Sequence, residues 1–288
     1  MKIIKMLRRI LGINLVLFKI SLLEQEVIRL RGGTPPTPLV FDPTEHNFNE
    51  FEVNERANTL IDLLQVQTPV GEIISRIGSE ADGGYVFIDD LNKRDLFISA
   101  GIADDFNVDL QVVDRVGKLI MIDPSIDPII FPQDNQEFIQ LPLAPISNKR
   151  GISLEELLTK SHYPDAILKM DIEGAEWDIL ADLEQEKYKH FRQIVMEFHW
   201  LSNVNDNSLH LKKIKALTKL NCFHQIISIH VNNYGEYRIM GGVPIPDVVE
   251  ITYLRKSDYV FEPGFSNQVR ALMNRNNIEK PEIEVWWA

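Results

Sequence analysis

The sequence predicts an α/β fold: a seven-stranded, mostly parallel sheet with one antiparallel strand, preceded by a helical extension. Three observations lead there. Short runs such as Leu96-Phe-Ile98, Leu119-Ile-Met-Ile122 and Ala166-Ile-Leu168 are apolar throughout. That is the pattern of strands covered on both faces, as in a parallel sheet. Longer stretches with helical spacing alternate with these runs, the rhythm of βαβ units. The last two strand-like runs, 223–230 and 248–254, are joined without a helical stretch, so the final strand returns antiparallel in a hairpin. A chain of 288 residues is long enough for one large domain with extensions.

Taken in order, residues 1–31 form a basic amphipathic helix. Lys2, Lys5, Arg8, Arg9, Lys19, Arg29 and Arg31 face only Glu24 and Glu26. The apolar run from Ile10 ends at Lys19, short of the roughly 20 residues a spanning helix needs, and no small-residue cleavage site follows it. Two readings stand: a helix lying on an anionic membrane surface, or one packed on its own domain or a partner chain, including a second copy. The implied location is cytoplasmic, with peripheral attachment to the inner membrane face under the first reading. Gly32-Gly-Thr-Pro-Pro-Thr-Pro38 is a linker by composition, which sets the boundaries at 1–31, 32–47 and 48–288.

Within the main domain, Phe51, Ala57, Leu60, Ile61 and Leu64 mark a capping helix over about 49–65. Residues 73–88 read as two extended pieces around Gly78-Ser-Glu-Ala-Asp-Gly-Gly84. This is a plain hairpin loop, or a lid whose Asp82 or Tyr85 touches a cofactor. Asp95–Gly101 is the first buried strand, followed by a glycine turn and a helix through Val116. Only Gly101 of a dinucleotide fingerprint is present. Asp104 and Asp105 at the helix start disfavour a phosphate and suit a cationic group. Lys118–Asp123 is the second strand, and Asp123 stands 22 residues after Gly101. There it hydrogen-bonds a ribose diol or caps a turn. The third strand spans Glu137–Ile146, and small residues around Ala144 can accept a flat ring. Ser153-Leu-Glu-Glu156 is a capping box.

The fourth strand, 166–170, ends at Asp171, where open α/β sheets bind ligands. Gly174 turns the chain, with Glu173 and Glu176 favourable to the dipole of the next helix. The fifth strand is Gln193–Trp200, the lysine-rich helix Leu209–Leu220, and the sixth and seventh strands follow. The tail carries a short helix near 267–273 and Trp286-Trp287, which suggests docking onto the domain or a neighbour. A net charge of −12 opposes a nucleic-acid partner. The single Cys222 excludes an intramolecular disulfide and a cysteine-rich zinc site.

The topology brings Asp171, His199, His230 and Glu250 to one rim, with Glu197 one step deeper than His199. Histidine is the default general base near neutrality. Either His199 or His230 takes a proton directly, beside Glu250, or Asp171 and His199 hold a divalent metal such as Mg or Mn, with Glu250 as an optional third ligand.

Lys169-Met-Asp-Ile-Glu-Gly-Ala-Glu176, with Asp82-Gly-Gly-Tyr85, Ser99–Asp105, Ile122-Asp-Pro124 and Val195–His199 in order, resembles FkbM-type S-adenosylmethionine-dependent methyltransferases. The resemblance covers about 76–255. It implies a Rossmann-like methyltransferase fold, S-adenosylmethionine as cofactor, and a hydroxyl acceptor on a sugar, nucleotide sugar or surface polysaccharide unit. It carries Gly101, Asp123, Asp171 and Glu173 as positions around the cofactor; Tyr85, Asp104 and Ala144 are added from the reading above. Ile102-Ala103 departs from a fuller glycine-rich loop. The competing readings are a non-catalytic Rossmann-like scaffold and an NAD-dependent sugar-modifying enzyme, the latter opposed by the missing Gly-x-Gly-x-x-Gly.

Overall fold

The computed structural model describes residues 50–285 and Trp287. The expected amphipathic helix (1–31), the linker (32–47) and Trp286 lie outside the described residues. No described helix is long and apolar enough to cross a membrane.

The described chain opens with α1 (Glu50–Asp62), which buries Val53, Ala57, Leu60 and Ile61 in the main core. A short strand, β1 (Gln67–Pro69), leads to a hairpin of β2 (Ile74–Gly78) and β3 (Gly84–Ile88). Next come β4 (Asp95–Ala100), α2 (Asn107–Val112), β5 (Lys118–Ile122) and β6 (Gln136–Ile139). They are followed by α3 (Leu154–Lys160), β7 (Asp165–Met170), α4 (Glu176–Asp182), a 3-10 turn and β8 (Phe191–Phe198). The second half runs α5 (Asn207–Phe223), β9 (His224–Val231), a hairpin of β10 (Tyr237–Met240) and β11 (Val243–Pro246), then β12 (Val249–Arg255). Last are β13 (Phe261–Pro263) and α6 (Asn267–Leu272).

Seven strands form the central sheet in the order β6-β5-β4-β7-β8-β12-β9. All pairings are parallel except those of β12, which runs antiparallel between β8 and β9. This is the Rossmann-like methyltransferase topology. The last sheet strand pairs antiparallel with its predecessor β9, as expected, and its other edge pairs with β8 as well. β4 and β8 are buried along their whole length. Each fully buried large aliphatic or aromatic side chain there contributes about 1.5–3 kcal/mol relative to exposure.

Two element boundaries differ from expectation. The third strand stops at Ile139 rather than Ile146, because Pro142 and Pro145 cannot donate to a ladder. The helix after Gly101 is short, since residues 102–106 form an irregular loop first. The tail docks on the domain: β13 pairs antiparallel with β1, and Trp287 Nε1 donates to the Pro244 carbonyl at 3.0 Å.

Candidate functional site

A cleft of about 650 Å³ opens at the carboxyl ends of the parallel strands, walled by the loops after β4, β5 and β7, the β2–β3 turn and the end of β8. Its floor is set by a close backbone approach. Gly101 has φ +75°, and a Cβ there would lie 1.5 Å from the Asp171 carbonyl oxygen. Three non-glycine residues among those described adopt positive φ, and all border this cleft. Ala103 and Glu173 line it, and the Trp200 ring packs over Gly174, between two lining residues. Such backbone strain costs about 1–3 kcal/mol per residue and collects at functional sites.

Asp123 is buried in the wall, and its carboxylate is fully engaged. Oδ2 accepts from the backbone N–H groups of Ile102 (2.8 Å) and Ala103 (2.9 Å). Oδ1 accepts from Ser125 N (2.7 Å) and Oγ (2.6 Å). Burial opposes the charge, but these bonds hold Asp123 below the ordinary carboxylate range. Its first task is thus to brace the irregular loop after Gly101. Asp105 joins that loop to the β2–β3 turn through Ser79 Oγ. Asp109, in the first turn of α2, is 2% exposed with Oδ1 unpartnered, and it lines the cleft. Burial pushes it up to about 6.

At the end of β7, Asp171 Oδ2 accepts from the Tyr85 hydroxyl at 3.2 Å. Burial raises Asp171, against the fields of Lys169 and His199. Lys169 donates to the Gly101 carbonyl and lies 5.6 Å above the Tyr85 ring. Glu176 is fully buried. Its Oε1 accepts from Ile172 N (2.9 Å) and Gly174 N (3.2 Å) and meets His199 Nδ1 at 3.2 Å. His199 Nε2 lies 3.4 Å from Glu173 and 3.5 Å from Glu197. Burial opposes charge on His199, but Glu176 first, then Asp171 and Glu173, raise it above its ordinary value. Trp177, stacked on Phe198 at 4.4 Å, donates to the His199 carbonyl at 2.7 Å and fixes that backbone.

Of the expected residues, Tyr85, Gly101, Asp104, Asp123, Asp171 and Glu173 line the cleft. Ala144 does not; Pro142 and Leu143 take its place. The Ala144 amide pairs with Ile152 O, and its side chain packs toward Gly151. Asp171 and His199 do come within metal-sharing distance, with Glu176. Glu176 Oε1, however, is already committed to two backbone amides and the imidazole, while its Oε2 is buried with no hydrogen-bond partner. His230 and Glu250 stand behind the cleft wall rather than on it. His230 lies 3.1 Å from Glu250 and 2.8 Å from Glu282. Burial works against its charge, but these two carboxylates push it up to about 9. An imidazolium donating from both nitrogens has no lone pair for a proton, so His230 is not the base expected. Sequence reasoning missed Asp109 and the role of Glu176. Both sit in first helical turns, where an acid has an ordinary explanation.

Eight carboxylates line the cleft, on Asp82, Asp104, Asp105, Asp109, Asp123, Asp171, Glu173 and Glu197, against the single ammonium of Lys169. A site so acidic repels phosphate and attracts cations.

No protein-family model and no curated protein matches the chain. Solved structures give distant likenesses. A Streptococcus thermophilus protein described as a hemolysin is 14% identical over 61% of this chain and 65% of that one, with a TM-score of 0.32. The 23S rRNA methyltransferase ErmE is 12% identical over 60% and 66%, with a TM-score of 0.33. The Streptococcus mutans protein SMU.1697c, described as a methyltransferase in complex with SAH, is 10% identical over 73% and 100%, with a TM-score of 0.31. The chain spans just under two thirds of the length of the first two. At these values the likenesses do not bear on activity.

Proposed function

We propose that the protein is an S-adenosylmethionine-dependent O-methyltransferase acting on a hydroxyl of an uncharged or amino-bearing glycan. The observation that carries this reading is the charge of the cleft, eight carboxylates to one lysine at the carboxyl ends of the strands. An NAD-type pyrophosphate would meet no cradle there and would be repelled. A cofactor bearing a sulfonium and an ammonium would be held. The donor set fits that cofactor: Gly101 allows close backbone approach, and Asp109 has a buried oxygen free for an ammonium. Asp104 lies exposed at the same wall, and Pro142 and Leu143 offer an apolar surface for a flat base. Asp123 would meet a ribose diol only by sharing its four existing bonds, so Ser125 beside it is the more available partner.

When bound, S-adenosylmethionine supplies an electrophilic methyl group on a positively charged sulfur. Gly101, Asp104, Asp109 and Ser125 would hold the cofactor, which would supply its methyl group to an acceptor hydroxyl that gives up its proton. The hydroxyl proton goes to His199 Nε2. Donation of Nδ1–H to Glu176 would leave Nε2 as the basic atom, between the cleft-lining Glu173 at 3.4 Å and Glu197 at 3.5 Å. The hydroxyl acceptor and its glycan character rest on the FkbM-like pattern of 169–176. The nucleotide-sugar form of that acceptor sits badly with the charge of the cleft.

Calorimetry with S-adenosylhomocysteine tests the cofactor. Micromolar binding, with none for NAD, is expected; NAD binding in its place would overturn the assignment.

A further inference from the structure

The register of the sheet builds a second group of carboxylates beside the cofactor cleft, and methyl transfer as described above leaves it unused. Glu250 of β12 pairs with Glu197 of β8 on one side and His230 of β9 on the other. Residues directly paired across antiparallel strands share a face, so these side chains rise together. Asp82, on the β2–β3 turn, meets them. One oxygen from each of Asp82, Glu197 and Glu250 lies within 4.8 Å of the other two.

The positive charge beside this group offsets it only in part. Glu197 accepts a hydrogen bond from Asn232 Nδ2 at 3.1 Å. His230 is shared between Glu250 and Glu282. Arg76, whose field reaches Glu250 and Asp82, donates to the carbonyls of Ser79, Ala81 and Leu272 instead.

Asn276 gives an independent sign that something positive belongs there. It is 2% exposed, and its amide projects into the group. Nδ2 lies 2.9 Å from Asp82 Oδ1 and 2.5 Å from Glu250 Oε1. Its Oδ1 is buried with no partner. Buried amide oxygens are rarely left so. A half-turn of the amide exchanges nitrogen and oxygen, which presents Oδ1 to the same point as the three carboxylates.

We propose that Asp82, Glu197, Glu250 and the Asn276 amide oxygen bind a hard divalent cation of the Mg²⁺ or Mn²⁺ class. The donors are all oxygen, which selects such ions over zinc or copper. Opposite ligands of an octahedral ion stand about 4–5 Å apart, in keeping with the spread of these oxygens. Asp82 and Glu197 also line the cleft, so the ion borders the space where an acceptor hydroxyl would lie and would lower that hydroxyl's pKa. This catalytic role rests on the methyltransferase reading; the cation site itself does not. The site differs from the Asp171–His199 pair expected from sequence.

The full chain, stripped with chelator, is titrated with Mn²⁺ and the free ion is followed by electron paramagnetic resonance. S-adenosylhomocysteine is titrated in parallel. One Mn²⁺ per chain with a dissociation constant below about 1 mM is expected. Asp82→Asn and Glu250→Gln should each weaken it about tenfold or more, and Asp171→Asn should leave it nearly unchanged. Asp82 is exposed on a turn, so its substitution gives a readout free of folding defects even if Glu250→Gln unfolds. Absence of saturable Mn²⁺ binding, or binding lost with Asp171→Asn but not with Asp82→Asn, overturns the site. A chain that binds S-adenosylhomocysteine but no Mn²⁺ defeats this inference alone. One that binds Mn²⁺ but no S-adenosylhomocysteine defeats the methyltransferase reading and leaves the cation site standing.

Discussion

A methyl group on Gly101 would collide with the Asp171 carbonyl oxygen at a φ that L-residues avoid. Gly101→Ala is therefore expected to lower unfolding free energy by about 2–4 kcal/mol in urea denaturation. It should also weaken S-adenosylhomocysteine binding by about tenfold, since the cleft floor moves with that contact. A destabilisation under about 0.5 kcal/mol, the range of ordinary surface changes, would show that the approach of the two loops is not the constraint argued here. At this scale the sequence was partly legible. Gly101, Asp171 and Glu173 announce themselves by residue type at strand ends. Glu176 did not, because an acid in a first turn needs no further reason. Only the folded loop shows its oxygen gathering two amides and an imidazole. Asp123 was legible as an important acid. Its bracing of Ile102 and Ala103 was not, because that depends on where an irregular loop folds back.

The strands were legible because burial on both faces leaves unbroken apolar runs. Their lateral order was less so. β12 enters between β8 and β9, and its pairing with β8 is set by tertiary packing rather than by any local signal. The Glu197–Glu250–His230 row exists only through that insertion. At the other edge of the same layer, His224 ends α5 and begins β9. It is 1% exposed, with Nε2 donating to the Phe191 carbonyl at 2.7 Å. Burial lowers it from 6.5 to about 4. The folded chain keeps this imidazole neutral where the unfolded chain protonates it. The contribution is therefore complete above pH 6.5 and is lost as pH falls from 6.5 toward 4. The full difference is about 3 kcal/mol. Asp109, pushed up to about 6, acts in the opposite sense over part of this range. The comparison of wild type with His224→Gln isolates the histidine. Denaturation curves between pH 4 and 7 should show a steeper acid loss for wild type; parallel curves would refute the assignment.

Across the whole molecule the formal charge is −12, and the cleft concentrates the same sign. A pyrophosphate arriving with an acceptor meets that field before any specific contact. In a radiolabelled methyl-transfer screen, simple glycosides and amino sugars are expected to exceed nucleotide sugars in turnover by about tenfold or more. Preferred transfer to a nucleotide sugar would contradict the charge argument. Global composition argued against a general nucleic-acid footprint early, but the sign of the pocket required knowing which acids converge. One further consequence follows from Trp200. Among the described tryptophans, Trp177 and Trp287 are buried, whereas Trp200 is 48% exposed with its ring over Gly174 at the cleft mouth. That indole is a built-in optical probe: acrylamide should quench its emission in the free protein, and ligand entry should blue-shift and shield it. Trp200→Phe should erase the response and leave calorimetric binding in place, so occupancy can be followed by light before any acceptor is known.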